Sequence, residues 1–149
     1  GPGTPVNRDS TDVPKNIPDN NPAGVTSNLV VSGPGIIQDM DVRIPGLTHT
    51  FDGDLVISLI APDSTTVLLS SQRGGSGDNY TNTVFDDEAA TAISAGTAPF
   101  TGSFRPEQAL SVLDGKPAAG TWTLKVVDQA SADTGTLGSW GLRETRPGC

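Results

Sequence analysis

The sequence predicts an all-β protein, an antiparallel jelly-roll β-sandwich with one or two short helical turns. Glycine (18) and proline (12) are plentiful among its 149 residues, and only 34% of the residues are hydrophobic, which is typical of short strands joined by many turns. Several short segments alternate apolar and polar residues, as half-buried strands do. Turn signals separate these segments, so we expect about seven or eight strands.

The amino-terminal part of the chain shows no strand pattern. Residues 1–24 are rich in proline and polar side chains without periodicity, and we expect them to form a linker or N-terminal arm. Within this part, residues 1–3 (Gly-Pro-Gly) resemble an expression scar. The predicted domain therefore spans residues 25–144, and residues 145–149 form a tail.

Two strands are predicted in the first third of this domain, over residues 28–32 and 36–44. In the second, the alternation predicts one buried face and one exposed face. The expected inward residues are Ile36, Met40, Val42 and Ile44. The expected outward residues are Ile37, Asp39, Asp41 and Arg43.

The remaining strands follow from their apolar patterns and turns. Residues 55–60 are nearly all apolar and predict a central strand covered on both sides, paired with residues 66–70 in a β-hairpin. Short helical turns are predicted over 88–94 and near 106–110, where Pro106 suits a first helical position. Trp122, Leu124 and Val126 alternate inward, and a last strand carries Trp140 and Leu142.

Residues 74–88 are the segment densest in oxygen ligands, with four carboxylates, two asparagines and two threonines. Such side chains suit Ca²⁺, which takes six to eight oxygens. Without a cation these carboxylates would repel one another, because nothing basic lies between them. We therefore predict an ordered calcium-binding loop, assisted by acidic residues from neighbouring segments. The candidate ligands are Asp78, Asn82, Asp86, Asp87, Asp39, Asp41, Asp52 and Asp54.

Alternatives to a metal site remain open for each acidic segment. The spacing in residues 74–88 does not match an EF-hand, and the segment could be a solvated polar loop. Asp52 and Asp54 flank a glycine and could serve in a turn instead of binding calcium. Asp128 and Asp133 could cap a turn through their own backbone or bind a second cation.

The composition excludes several classes of partner. Nine basic against seventeen acidic residues give a net charge of −8, which disfavours nucleic acid and anionic membranes. The sequence contains no apolar run near eighteen residues. The single cysteine, Cys149, is the last residue and cannot form an internal disulfide.

Catalytic chemistry has little support in the sequence. His49 is the only histidine, so a serine triad would depend on it, and no Gly-x-Ser-x-Gly elbow lies nearby. We expect His49 to stabilise a turn. Trp122 and Trp140 could form a carbohydrate platform, but their inward positions favour a role in the core.

Several spaced motifs together resemble one family. They are His-Thr-Phe-Asp-Gly-Asp-Leu at 49–55, Ile-Ser-Leu-Ile-Ala-Pro at 57–62, the acidic stretch at 74–87, Phe-Thr-Gly-Ser-Phe-Arg-Pro at 100–106, Gly-Thr-Trp-Thr-Leu at 120–124, and Asp-Thr-Gly-Thr-Leu at 133–137 followed by Ser-Trp at 139–140. This order resembles the P domain, also called Homo B, of proprotein convertases and bacterial secreted proteases, and it covers roughly residues 25–144.

The resemblance implies a non-catalytic jelly-roll module that follows a subtilisin-like catalytic domain and supports its folding, stability or activity. It also implies structural calcium, secretion and a serine endopeptidase as parent protein. We expect a monomer, with the catalytic domain and possibly a protein substrate as partners. Two other functions stay open: an extracellular binding module for a protein such as collagen or for a polysaccharide, and a stand-alone hydrolase.

Overall fold

The computed structural model describes residues 3–147, which form ten strands in two sheets that pack face to face. Cys149 and residues 1 and 2 of the expected scar lie outside the described residues. The strands are β1 (Val6–Asp9), β2 (Lys15–Ile17), β3 (Asn21–Val31), β4 (Asp39–His49), β5 (Leu55–Ile60), β6 (Thr66–Ser71), β7 (Tyr80–Phe85), β8 (Gly102–Phe104), β9 (Gly120–Asp128) and β10 (Gly135–Thr145). This architecture confirms the predicted all-β sandwich.

One sheet has six strands and the other has four. In the larger sheet the order is β1-β10-β4-β7-β8, and β2 also pairs with β10. The smaller sheet has the order β3-β9-β5-β6. All neighbouring strands are antiparallel except β7 and β8, which are parallel. Three single 3₁₀ turns supply the helical content, at Asp52–Asp54, Ile93–Ala95 and Leu110–Leu113.

The apolar core lies between the sheets and contains both tryptophans. Trp122 of β9 and Trp140 of β10 are almost completely buried. Their indole N–H groups are satisfied inside the protein: Trp122 Nε1 donates to the Ala118 carbonyl at 2.9 Å, and Trp140 Nε1 donates to Ser27 Oγ at 2.7 Å. Buried indoles need such partners. The predicted inward faces of residues 121–127 and of the last strand are therefore confirmed.

The amino-terminal segment differs from the expected loose arm, because it adds two strands to the larger sheet. β1 pairs with residues 141–144 and β2 with residues 135–137, both along the same edge of β10. Asp12, between them, accepts hydrogen bonds from Ser27 Oγ and from the Asn28 backbone N–H. The alternation that predicts a strand is weak here, because β1 and β2 are short and mostly exposed. Pairing with the edge of β10 stabilises them, and burial of an apolar face contributes little.

Two predicted strands begin or pack differently from expectation. Ile36 is 47% exposed and Ile37 is 1% exposed, the reverse of the prediction, because β4 begins only at Asp39. Before it, Ile37 is held by backbone hydrogen bonds to Lys116 and Gly115, which turn its side chain into the core. β5 has the predicted bounds and lies between β6 and β9, but only one of its faces is fully buried.

The predicted helical turns are partly displaced. Of the helix expected over 88–94, only a 3₁₀ turn at Ile93–Ala95 forms, and the second turn lies at Leu110–Leu113, after the predicted segment. Among the described residues, no helix has the length and apolar character needed to span a membrane.

Candidate metal centre

The oxygen-rich stretch is divided by a strand and is not one continuous loop. Tyr80–Phe85 forms β7, which pairs with β4 on one side and β8 on the other. Tyr80, Thr83 and Phe85 are buried, so the aromatic and β-branched side chains favour a strand over a ligand-bearing loop. The strand separates residues 74–79 from residues 86–88, and the two parts reach different acidic side chains.

The second part completes a group of four acids, which we call the four-acid cluster: Asp39, Asp41, Asp86 and Glu88. Carboxylate oxygens of Asp39, Asp41 and Glu88 lie within 4.8 Å of one another. Asp86 acts through its charge on both Asp41 and Glu88, and its Oδ1 accepts a 2.9 Å hydrogen bond from the Glu88 backbone N–H. The cluster forms because β4 and β7 are neighbours and Asp86 directly follows β7.

Asp41 is the buried member of the four-acid cluster, with 3% of its surface exposed. Its Oδ2 lies 3.2 Å from Arg143, while Oδ1 is buried and has no hydrogen-bond partner among the described residues. Burial, followed by the charges of Asp86 and Asp39, raises the pKa of Asp41 to about 7. Burial and Asp39 likewise raise the pKa of Glu88 to about 7.

These properties fit a hard divalent cation. The donors are all carboxylate oxygens, which Ca²⁺ prefers, and one buried oxygen lacks any other partner. A cation among these groups would remove the mutual repulsion that raises their pKa values.

Five of the eight predicted ligands lie outside the four-acid cluster, and three of these five belong to the segment 74–88. Asp87 accepts hydrogen bonds of 2.8 Å from the backbone N–H groups of Leu110 and Ser111, so it holds the 3₁₀ turn in place. Asn82 is exposed on β7, where it borders a shallow surface depression beside Arg43. Asp78 is exposed in the loop before β7.

Asp52 occupies a separate and fully buried position next to the glycine-rich residues 74–77. Its backbone N–H donates to the Gly77 carbonyl at 2.8 Å, and Gly53 N–H donates to the Gly75 carbonyl at 2.9 Å. Both Asp52 carboxyl oxygens are buried without a partner among the described residues. Burial, with a further contribution from the charge of Asp78, raises the pKa of Asp52 to about 8.

His49 and Asp128 form a buried pair at the other end of β4. His49 Nε2 lies 3.0 Å from Asp128 Oδ2, and neither side chain is accessible. His49 Nδ1 accepts a 3.1 Å hydrogen bond from the Phe51 backbone N–H. Both ring nitrogens are therefore occupied, so His49 cannot accept a proton from a nucleophile. The residue stabilises the turn after β4, as predicted.

Sequence reasoning named Asp39, Asp41 and Asp86 but left Glu88 and Asp128 out of the ligand set. Glu88 carried a usable signal, since it ends the same acidic run as Asp86 and Asp87. Asp128 carried a weaker one. It is the last residue of β9, and only the sheet order places it opposite Leu55, next to Asp54.

Comparison with known proteins gives consistent matches. The family model for the proprotein convertase P-domain matches residues 37–144. Leupeptin-inactivating enzyme 1 of Streptomyces exfoliatus is 33% identical over 95% of this chain and 28% of its own length. A calcium-dependent protease of Trichormus variabilis is 34% identical over 75% of this chain and 14% of its own length.

A solved structure shows the same fold. The serine protease of Aeromonas sobria, in complex with the chaperone ORF2, superposes with a TM-score of 0.64 at 18% identity, covering 100% of this chain and 27% of the other. This chain thus spans less than a third of the length of the curated relatives above and of this structure. The family match over residues 37–144, on a two-sheet sandwich of this topology, shows that the chain belongs to the proprotein convertase P-domain family.

Proposed function

We propose that this chain is the non-catalytic accessory domain of a secreted, subtilisin-like serine endopeptidase, and that calcium bound at the four-acid cluster stabilises it. The observation that carries the calcium part is the convergence of Asp39, Asp41, Asp86 and Glu88 around a buried, unpartnered Asp41 oxygen. Membership of the P-domain family and the protease names of the relatives support the accessory role.

Calcium would act here through folding. The cluster draws Asp39 and Asp41 from β4 and Asp86 and Glu88 from the segment after β7, so its oxygens meet only when the larger sheet has formed. A ligand that binds only the native state stabilises it, by about 2.7 kcal/mol at a free concentration one hundred times the dissociation constant. Calcium is available outside the cell, which agrees with the proposed secretion.

The occupied nitrogens of His49 support a non-catalytic domain. The alternative, a module that binds a protein or polysaccharide substrate through aromatic side chains, is disfavoured because every Trp, Tyr and Phe of the chain is buried or half-buried. The exposed large apolar side chains among the described residues are Val6, Val30, Ile36 and Val112, which offer no stacking surface.

The calcium part is tested with the purified chain. We expect its melting temperature to fall in a chelator and to recover in millimolar calcium. A calcium titration of the double variant D39N/D41N should lose the heat of binding from this cluster. Equal melting with and without the chelator would contradict the proposal.

The accessory role is tested in the parent protein. Deleting the P domain from the full-length protease should lower the yield or thermal stability of the active enzyme, while the isolated chain should hydrolyse no peptide substrate. Peptidase activity of the isolated chain would refute this part. So would a protease that lacks the P domain but is as stable, and produced in the same yield, as the full-length enzyme.

A further inference from the structure

A second group of acids lies at the far end of β4 and is separate from the four-acid cluster. Asp54 directly precedes β5, and Asp128 ends β9, where it pairs with Leu55. The Gln129 N–H donates to the Asp54 carbonyl at 2.9 Å, so backbone pairing fixes the two acids side by side. From Asp41 to His49 the extended β4 spans about 25 Å, so one ion cannot serve both groups.

Asp54 is the unsatisfied member of this second group. Asp54 is 8% exposed and Asp128 is completely buried. Asp128 accepts from His49 Nε2 at 3.0 Å and from the Ala130 N–H at 3.1 Å. Asp54 Oδ2 is buried and has no hydrogen-bond partner in residues 3–147. A buried carboxylate oxygen without a partner costs stability unless a proton or a cation neutralises it.

The histidine determines which class of cation fits. Oxygens of Asp54 and Asp128 lie within 4.8 Å of a ring nitrogen of His49, an arrangement that could suggest a zinc site. However, His49 Nδ1 accepts from the Phe51 N–H, so the proton of the neutral ring is on Nε2 and points at Asp128. Neither nitrogen has a free lone pair, and the available donors are oxygens only.

Further acids surround the group from two loops. Asp19 precedes β3 and Asp133 precedes β10, and both charges act on Asp54. Asp19 accepts from the Ala132 N–H at 3.3 Å, and Asp133 from Thr50 Oγ1 at 2.9 Å. Each of these hydrogen bonds leaves the other carboxylate oxygen of the residue available.

We propose that Asp54 and Asp128 bind a second hard divalent cation of the calcium class, with Asp19 and Asp133 as outer acids and His49 orienting Asp128. This ion would hold the β2–β3 and β9–β10 loops against the ends of β5 and β9. The site does not depend on the proposed function, because it shares no residue with the four-acid cluster.

The test is a calcium titration of the isotope-labelled chain, followed by NMR at the backbone amides of Gln129 and Ala130. We expect both resonances to shift and saturate in the wild-type chain. They should stay unmoved in D54N, which should bind one ion fewer by calorimetry. D41N should keep the shifts at Gln129 and Ala130, and D63N, a matched loss of one exposed charge, should behave as the wild type.

Three results would overturn the proposal. The first is an absence of any calcium response at the Gln129 and Ala130 amides of the wild-type chain. This result needs no variant, so a D54N chain that fails to fold does not prevent the test. The second is a wild-type chain that binds zinc more tightly than calcium and loses this zinc binding in H49N, which would refute a site made of oxygens only. If D54N binds as many ions as the wild type while D41N binds one fewer, the second site is wrong and the four-acid cluster stands.

Discussion

Substituting Asp41 by asparagine should change stability in opposite directions with and without calcium. The asparagine side chain cannot ionise, so the variant lacks a buried charge that Asp86 and Asp39 repel. In a chelator at pH 8, D41N should therefore be more stable than the wild type. In millimolar calcium it should lose the stabilisation that the four-acid cluster provides, since it lacks one carboxylate ligand.

The magnitude follows from the pKa of Asp41, which rises from 3.8 to about 7 in the fold. At about 1.36 kcal/mol per pKa unit, ionised Asp41 destabilises the metal-free fold by roughly 4 kcal/mol. The attraction of Arg143, whose side chain is 44% exposed, is already included in this raised pKa. A gain of roughly 4 kcal/mol for D41N corresponds to a melting temperature roughly 8–16 °C higher for a domain of this size.

The assay is thermal unfolding in chelator and in calcium at pH 8 and pH 5. A carboxyl group with a raised pKa contributes stability that is fully present below its unfolded pKa of 3.8 and is lost progressively as the pH rises to about 7. At pH 5 the stability advantage of D41N over the wild type should therefore be smaller than at pH 8 by roughly 3 kcal/mol, because two of the pH units below about 7 have not yet been crossed. D78N, which removes an exposed charge outside the four-acid cluster, is the matched control. A D41N chain that melts below the wild type in chelator at pH 8 would refute the reasoning.

Three further outcomes are expected. In chelator, the wild type should lose stability progressively between about pH 4 and pH 8, because buried Asp52 stays protonated in the fold while it ionises in the unfolded chain. D52N should flatten this loss when unfolding is followed by denaturant titration. An unchanged slope in D52N would contradict the role of Asp52. D87A should lower the free energy of unfolding by about 2–3 kcal/mol, because it leaves two backbone N–H donors at the 3₁₀ turn without their carboxylate. Urea unfolding measures this change. A loss below about 0.5 kcal/mol would argue against the role of Asp87 in holding the turn. G135A should abolish folding or expression of soluble chain, since an added Cβ would lie 1.9 Å from the Thr48 carbonyl oxygen. G46A, where the added Cβ would lie 3.6 Å from the Ser139 hydroxyl, serves as the control. A well-folded G135A chain by circular dichroism would refute this prediction.

The candidate site was only partly predictable. Asp39 and Asp41 stood out as alternate residues of one strand, and Asp86 as part of an acidic run, but nothing local indicated that they share a cluster. Their proximity results from the pairing of β4 with β7, which joins segments more than forty residues apart in sequence. Asn82 and Asp87 shared the composition of the site but not its geometry, because β7 and the 3₁₀ turn at Leu110–Leu113 direct them elsewhere.

The sequence by itself determined the fold class, the inward faces of Trp122 and Trp140, and the family, because alternation and turn chemistry are local properties that survive into the folded chain. Only the tertiary structure decided the strand order, the pairing of the amino-terminal segment with β10, and the division of the acids into separate groups. The physical reason is that charge repulsion and cation binding depend on distances of a few ångströms between residues remote in sequence, and those distances exist only once the sheets have formed.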